Sequence, residues 1–206
     1  MYVIGLTGGI GSGKTAASDY FALTYDIEIV DADIVAREVV MQGQPTLAAI
    51  AAHFGQSVLQ VDGSLDRAAL RAIVFNNPEQ RKKLESITHP AIRSMIQHKI
   101  AQSRSSYTLL VSPLLFESGQ ATLTQRNLVI DCDEQQQQQR ASARDKVNAA
   151  QIKQIMAAQL PRQERLQRAD DIAINNGDLK FLYQQLDQLH HKYLALALWH
   201  YPTHLP

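Results

Sequence analysis

Eight residues near the start of the chain, Gly8-Gly9-Ile10-Gly11-Ser12-Gly13-Lys14-Thr15, fit the pattern G-x-x-x-x-G-K-[ST]. An apolar run, residues 2–6, leads into this segment, and a helix-compatible run, residues 16–23, leaves it. A strand, a glycine turn and a helix in immediate succession form the phosphate loop of nucleotide-binding α/β proteins. Glycines let the backbone turn around a phosphate without a Cβ in the way. Successive N–H groups then face inward as an anion nest at the positive end of the following helix. In such a loop Lys14 reaches the β- and γ-phosphates and the Thr15 hydroxyl ligates Mg²⁺. Gly8, Gly11, Ser12, Gly13, Lys14, Thr15 and Ala16 are therefore the candidate ATP contacts, with Thr15 the metal ligand. Gly55 and Gly63, by contrast, read as turn glycines.

Short apolar runs at 2–6, 27–30, 107–111 and 128–130, with a shorter one at 172–174, have the length and composition of buried parallel strands. Helical patterns separate them, so the expected class is α/β, a parallel sheet covered on both faces. The spacing is uneven. One helix, 14–24, joins the first two strands, but more than seventy residues separate the second from the third. A crossover needs only a dozen or so. The excess reads as helices at 44–54, 67–75, 78–86 and 90–103, a helical insertion at the carboxyl edge of the sheet, where α/β proteins bind ligands. Residues 134–166 read as helical, and the glutamine run 135–139 as a solvated helix face. The last helix is expected at 179–198.

The 206 residues carry 20 Lys+Arg against 20 Asp+Glu, a balance that argues against nucleic-acid binding. The sequence shows neither a signal peptide nor an apolar run long enough for a membrane span. The lone cysteine, Cys132, allows no internal disulfide and reads as a buried small hydrophobe. Cytoplasmic localisation is the expectation.

A GTPase-like switch would carry D-x-x-G after a strand and N-K-x-D for guanine, and neither occurs. A small-molecule kinase needs acidic residues at the end of the second strand, an acceptor insertion and an arginine-bearing lid, and each has a candidate. Asp31 and Asp33 follow the run 27–30; one carboxylate there can orient an attacking hydroxyl. Asp131 also follows an apolar run, as a Walker B carboxylate would, but it could equally cap the next helix. Arg140 and Arg144 are four apart and share a helix face, with Arg162, Arg165 and Arg168 downstream. Arginine supplies permanent planar charge for a transferring phosphoryl group, and Arg140 is the preferred catalytic candidate, with Arg144 beside it at the nucleotide.

Taken in order, Leu6-Thr7-Gly8-Gly9-Ile10-Gly11-Ser12-Gly13-Lys14, Val30-Asp31-Ala32-Asp33-Ile34-Val35-Ala36-Arg37, His89-Pro90, Pro113-Leu114-Leu115-Phe116-Glu117, Arg140, Arg144-Asp145, Gln159, Ala169-Asp170 and Asn175-Asn176-Gly177 resemble the bacterial dephospho-coenzyme A kinase family. The resemblance implies transfer from ATP, with Mg²⁺, to the ribose 3′-hydroxyl of dephospho-coenzyme A. It implies a three-layer P-loop fold with a five-stranded parallel sheet, here a core of 1–34, 105–133 and 170–206, a helical acceptor insertion of 35–104 and a helical lid of 134–169. It makes Asp33 the catalytic carboxylate and Thr7, Arg37, His89, Leu115, Phe116 and Glu117 acceptor contacts. His89 has a plainer reading as a helix start with Pro90 at the first position, and Phe116 as core. Thr15-Ala16 replaces a commoner Ser-Thr pair but keeps the hydroxyl, and 146–156 follows the family loosely. A monomer or small homo-oligomer is expected. Other readings of the residues alone are a nucleoside or nucleotide kinase, or an ATP-gated binding module.

Overall fold

The computed structural model describes residues 1–145 and 149–200. The chain divides into two compact units, Met1–Val30 with Ile100–Pro206, and Asp31–Lys99.

The first unit is built on a five-stranded sheet of order β2-β3-β1-β4-β5. The strands are β1 (Val3–Gly8), β2 (Ile29–Asp31), β3 (Thr108–Val111), β4 (Arg126–Asp131) and β5 (Asp171–Ile174). Parallel pairing sets Ile4 against Leu109 on one side and Arg126 on the other. β1 is thus central, flanked on both sides, and all six of its residues are buried. Helix α1 (Lys14–Tyr25) follows the glycine loop, and α9 (Leu179–His200) closes the chain's described part. Phe21 of α1 and Leu182, Leu186 and Tyr193 of α9 join Ile4, Leu6, Leu109, Leu128 and Ile130 in one core. Burying each such side chain contributes about 1.5–3 kcal/mol, which fixes the strand that carries the loop.

A polar cluster ties α1 to α9. Tyr20 and Tyr25 both donate to Asp187 Oδ1, at 2.6 and 2.7 Å. Tyr25 stacks on His190, ring centroids 3.6 Å apart, and His190 Nδ1 meets the Tyr107 hydroxyl at 2.9 Å. Burial, aided by His191 and opposed by Asp187, pushes His190 below its ordinary value of 6.5. The two tyrosine hydroxyls hold Asp187 below its ordinary 3.8. Both shifts have the same sign for stability. The unfolded state binds protons first, so stability is present above 6.5 and is lost as pH falls towards the lowered values. The melting temperature should therefore drop as pH is lowered through the histidine range, and His190→Gln should flatten that drop. A His190→Gln variant with the wild-type pH slope would assign the slope to other groups.

The second unit is helical: α2 (Ala32–Glu38), α3 (Pro45–Phe54), α4 (Arg67–Phe75) and α5 (Pro78–Gln102). Its helix starts are written in the sequence. Pro45 sits in the first turn of α3, and Asp66 accepts from Ala68 N and Ala69 N at the start of α4. One expectation fails here. The segment after β2 is a further helix, α2, begun by Asp31, whose Oδ1 accepts from Asp33 N and Ile34 N at 2.8 and 3.1 Å. The expected separate helices 78–86 and 90–103 are one helix, because Pro90 sits inside α5. Proline removes the bond to the Ser86 carbonyl, but Ser86 and Pro90 are both exposed, so water can serve the carbonyl. His89 is accordingly an exposed mid-helix residue, not a helix start.

Between β4 and β5, the described residues of the expected helical stretch 134–166 form α6 (Glu134–Asp145), α7 (Ala149–Ala158) and α8 (Arg162–Gln167).

Candidate active site

The glycine loop leaves β1 at Gly8 and closes on α1 at Gly13. Ser12 N bonds back to Gly9 O at 3.2 Å, and Ala17 N to Gly13 O at 3.1 Å. Gly11 and Gly13 hold φ of 70° and 99°, a region that penalises any side chain. Space is also lacking. A Cβ on Gly13 would lie 2.3 Å from Asn175 Nδ2, and one on Gly11 2.6 Å from Gln137 O. The pattern of glycines thus answers two demands, backbone curvature and close approach by α6 and the end of β5.

Lys14 Nζ donates to Gly8 O and Gly9 O, at 2.9 and 3.0 Å, holding the ammonium across the loop. Thr15 is exposed on the first turn of α1, and Ala16 is partly buried beside it. Ser12 is fully buried, and its Oγ has no partner among the described residues; the same holds for Asn175 Oδ1. Asn175 Nδ2 donates to Ser12 O at 2.8 Å, so the residue after β5 pins the loop from behind.

Gly11, Gly13, Ala16, Arg140, Gly177 and Leu179 line a cleft of about 250 Å³ with Asn175. Arg140 reaches it from α6, with Nη1 donating to Asn175 O at 2.9 Å. The guanidinium is thereby held at the end of β5, in one cleft with residues of the glycine loop. Arg144 lies in α6, and its side chain falls outside the described residues.

Asp131 neither caps α6 nor stands alone as a Walker B carboxylate. Arg162 grips it with two bonds, Nε to Oδ1 at 2.8 Å and Nη2 to Oδ2 at 2.6 Å. That pairing raises the already high Arg162 value further, so its charge is permanent. Arg165 is buried and donates to Leu160 O at 2.6 Å. Burial works against its charge, and Glu117 and Asp131 offset part of that.

The segment after β3 divides its labour. Leu115 is fully buried, and a Cβ on Gly5 would lie 2.6 Å from its Cδ2. Its side chain is packed behind β1, so the expectation of an acceptor contact there is corrected. Phe116 is half-buried, and Glu117 accepts from Leu160 N at 2.6 Å. Thr7 is buried within β1. In the second unit, Asp33 and Arg37 are exposed on α2, and Asp33 stands one turn-step after the capping Asp31.

The glutamine run also departs from expectation. Gln137 is 2% exposed, with Nε2 donating to Cys132 O at 2.7 Å and its Oε1 pressed against Gly9. Of the run, Gln135 and Gln139 are exposed, and Gln136 and Gln138 are half-buried. Gln137 carries no motif signal: in a run of identical residues, nothing marks the one that faces the loop. Gln159 and Asn175 do stand in the quoted segments, but spacing alone gives neither a role.

Comparison with known proteins bears on the same residues. A family model described as dephospho-CoA kinase matches residues 2–180. A dephospho-CoA kinase of Acinetobacter baylyi is 58% identical over 194 residues, covering 94% of this chain and 99% of that one. Among solved structures, a dephospho-CoA kinase from Campylobacter jejuni superposes with a TM-score of 0.70 at 26% identity, covering 94% of this chain and 97% of that one. The Thermus thermophilus protein TT1252 gives a TM-score of 0.81 at 28% identity, covering 93% and 97%.

Proposed function

The chain belongs to the dephospho-coenzyme A kinase family, and from that premise we infer how its residues share the transfer of a phosphoryl group from ATP to the ribose 3′-hydroxyl of dephospho-coenzyme A. The 3′-oxygen forms a bond to the γ-phosphorus as the bond from that phosphorus to the ADP oxygen breaks. The hydroxyl proton leaves, and the products are coenzyme A and ADP. The observation that carries the reading is the formed phosphate loop at residues 8–15, held by Lys14 and Asn175 at the end of the central strand.

The chemistry asks for alignment and charge more than for covalent work. Gly8, Gly11, Ser12, Gly13 and the N-terminus of α1 hold the phosphates, and Lys14 exchanges its loop carbonyls for phosphate oxygens. Asp33 orients the acceptor hydroxyl and takes its proton. Arg140, by its bond to Asn175 O and its place in the cleft with Ala16 and Leu179, contacts the nucleotide and fixes it, without leaving β5 for the transferring group. Arg37, His89, Phe116 and Glu117 are the acceptor contacts, the buried Thr7 and Leu115 excepted, and residues 35–104 receive the acceptor.

The residues present fit Mg²⁺. Thr15 is exposed at the first turn of α1, and among the described residues no group of three or more His, Cys, Asp or Glu forms a cage. One hydroxyl beside the phosphates suits an ion held chiefly by substrate oxygens and water. Bound there, Mg²⁺ would neutralise charge on the β- and γ-oxygens. A single buried cysteine fits a reducing cytoplasm as the place of work. No described helix is long and apolar enough to cross a membrane.

Phosphorus NMR of the product tests the acceptor. With ATP and dephospho-coenzyme A the new phosphate should appear on the ribose 3′-oxygen, with AMP and CMP poor competitors. Preferential phosphorylation of a nucleoside monophosphate would reassign the acceptor.

A further inference from the structure

Gln159 lies between α7 and α8 and is 9% exposed. Its Oε1 accepts from Ile10 N, inside the glycine loop, at 3.0 Å. Its Nε2 donates to Pro113 O, just after β3, at 3.3 Å. A primary amide offers an acceptor and a donor from one planar end, so a single side chain bridges a backbone N–H and a backbone carbonyl. The neighbouring contacts repeat the pattern. Leu160 N donates to Glu117, and Arg162 grips Asp131. Residues 159–162 are therefore stitched to the phosphate loop, to the segment after β3 and to the end of β4.

We propose that Gln159 is a positioning residue for the transfer: it ties the Ile10 N–H of the phosphate loop to the Pro113 carbonyl of the acceptor-side segment, and so keeps water from the transferring phosphoryl group. The inference rests on the kinase reading above. With the bridge in place, the loop and the Pro113–Glu117 stretch keep one separation, and the polar groups between them are occupied by protein. Without it, the Ile10 N–H and Pro113 O take water as their partner, beside the phosphate loop. That water can then attack in place of the acceptor. Its oxygen bonds to the γ-phosphorus as the bond to ADP breaks, giving ADP and inorganic phosphate, whereas the acceptor oxygen gives ADP and coenzyme A. Exclusion of water is what separates the two outcomes.

The test is the ratio of coenzyme A formed to ADP released, in wild type, Gln159→Ala and Gln159→Glu, with folding followed by circular dichroism and ATP affinity by calorimetry. Wild type should form close to one coenzyme A per ADP. Gln159→Ala removes both bonds; acceptor-dependent turnover should fall on the order of 10²-fold, as for a misplaced reacting pair, with the ratio falling and ATP affinity nearly unchanged. Gln159→Glu keeps an acceptor for Ile10 N–H but has no donor for Pro113 O, so its ratio should lie between the two. A residue that merely packed would lower the melting temperature and leave the ratio at the wild-type value, and that result in folded Gln159→Ala overturns the proposal. Should Gln159→Ala fail to fold, the ratio in Gln159→Glu decides on the same terms. Wild type that forms no coenzyme A would overturn the kinase reading itself; variants that stay coupled beside an active wild type overturn only the role of Gln159.

Discussion

Asp33→Asn should bind ATP as tightly as wild type and lose acceptor-dependent turnover by about 10²–10⁴-fold, the usual worth of a positioned proton acceptor. The two carboxylates at the end of β2 and the start of α2 are chemically alike but structurally unlike. Asp31 Oδ1 accepts from Asp33 N and Ile34 N and so begins α2. Asparagine caps a helix about as well as aspartate, so Asp31→Asn should keep the fold and most of the activity. At position 33 the same exchange preserves side-chain size and removes the ability to receive a proton. The comparison of kcat for the two variants, with ATP binding measured by calorimetry, checks the division. A larger loss at position 31 would move the catalytic role to the capping residue.

Lys14→Ala should leave a folded protein whose kcat is lower by about 10²–10³, equivalent to about 3 kcal/mol of lost transition-state stabilisation. Lys14 is partly exposed on the loop and contributes no apolar surface to the core of Ile4, Leu6 and Phe21, so circular dichroism should be unchanged. Its ammonium bridges Gly8 O and Gly9 O, which places it within the loop before any phosphate arrives. Lys14→Met keeps the stem and removes the charge. Equal losses in the two variants would assign the effect to charge; near-normal turnover in Lys14→Ala would remove the loop from the mechanism.

The parts of this fold that repeat a local rule were legible in the sequence. The glycine spacing of residues 8–15 fixes a phosphate loop because the backbone itself makes the site. The apolar runs give the strands because β1 and β3 are buried throughout, whereas the edge strand β5 leaves Ile172 and Ile174 exposed. What stayed hidden depended on which way a side chain faces after packing. Leu115 lies in a segment quoted for the acceptor, yet the close passage of Gly5 draws it into the core. Gln137 is buried while Gln135 and Gln139 of the same run are exposed, a distinction the proximity of Gly9 and Gly11 creates. Pro90 reads as a break because proline usually is one, and it is tolerated because that face of α5 meets water. Arg140 could be assigned to a helix face but not to Asn175 O, whose partner strand is remote in sequence.

The placement of β1 at the centre of the sheet sets an order of events during synthesis. Val3 pairs with Thr108 and Ile4 with Arg126, so β1 leaves the ribosome more than a hundred residues before either neighbour exists. At roughly 5–20 residues per second, that is a delay of about 5–25 s with an apolar strand and a glycine loop uncovered. Nor does the arrival of β3 and β4 complete the loop. Ile10 N finds its partner at Gln159, and Ser12 O finds its own at Asn175. The glycine loop is thus translated long before the partners that complete it. A nascent chain released before residue 175 would lack the Asn175 contact that pins its phosphate loop.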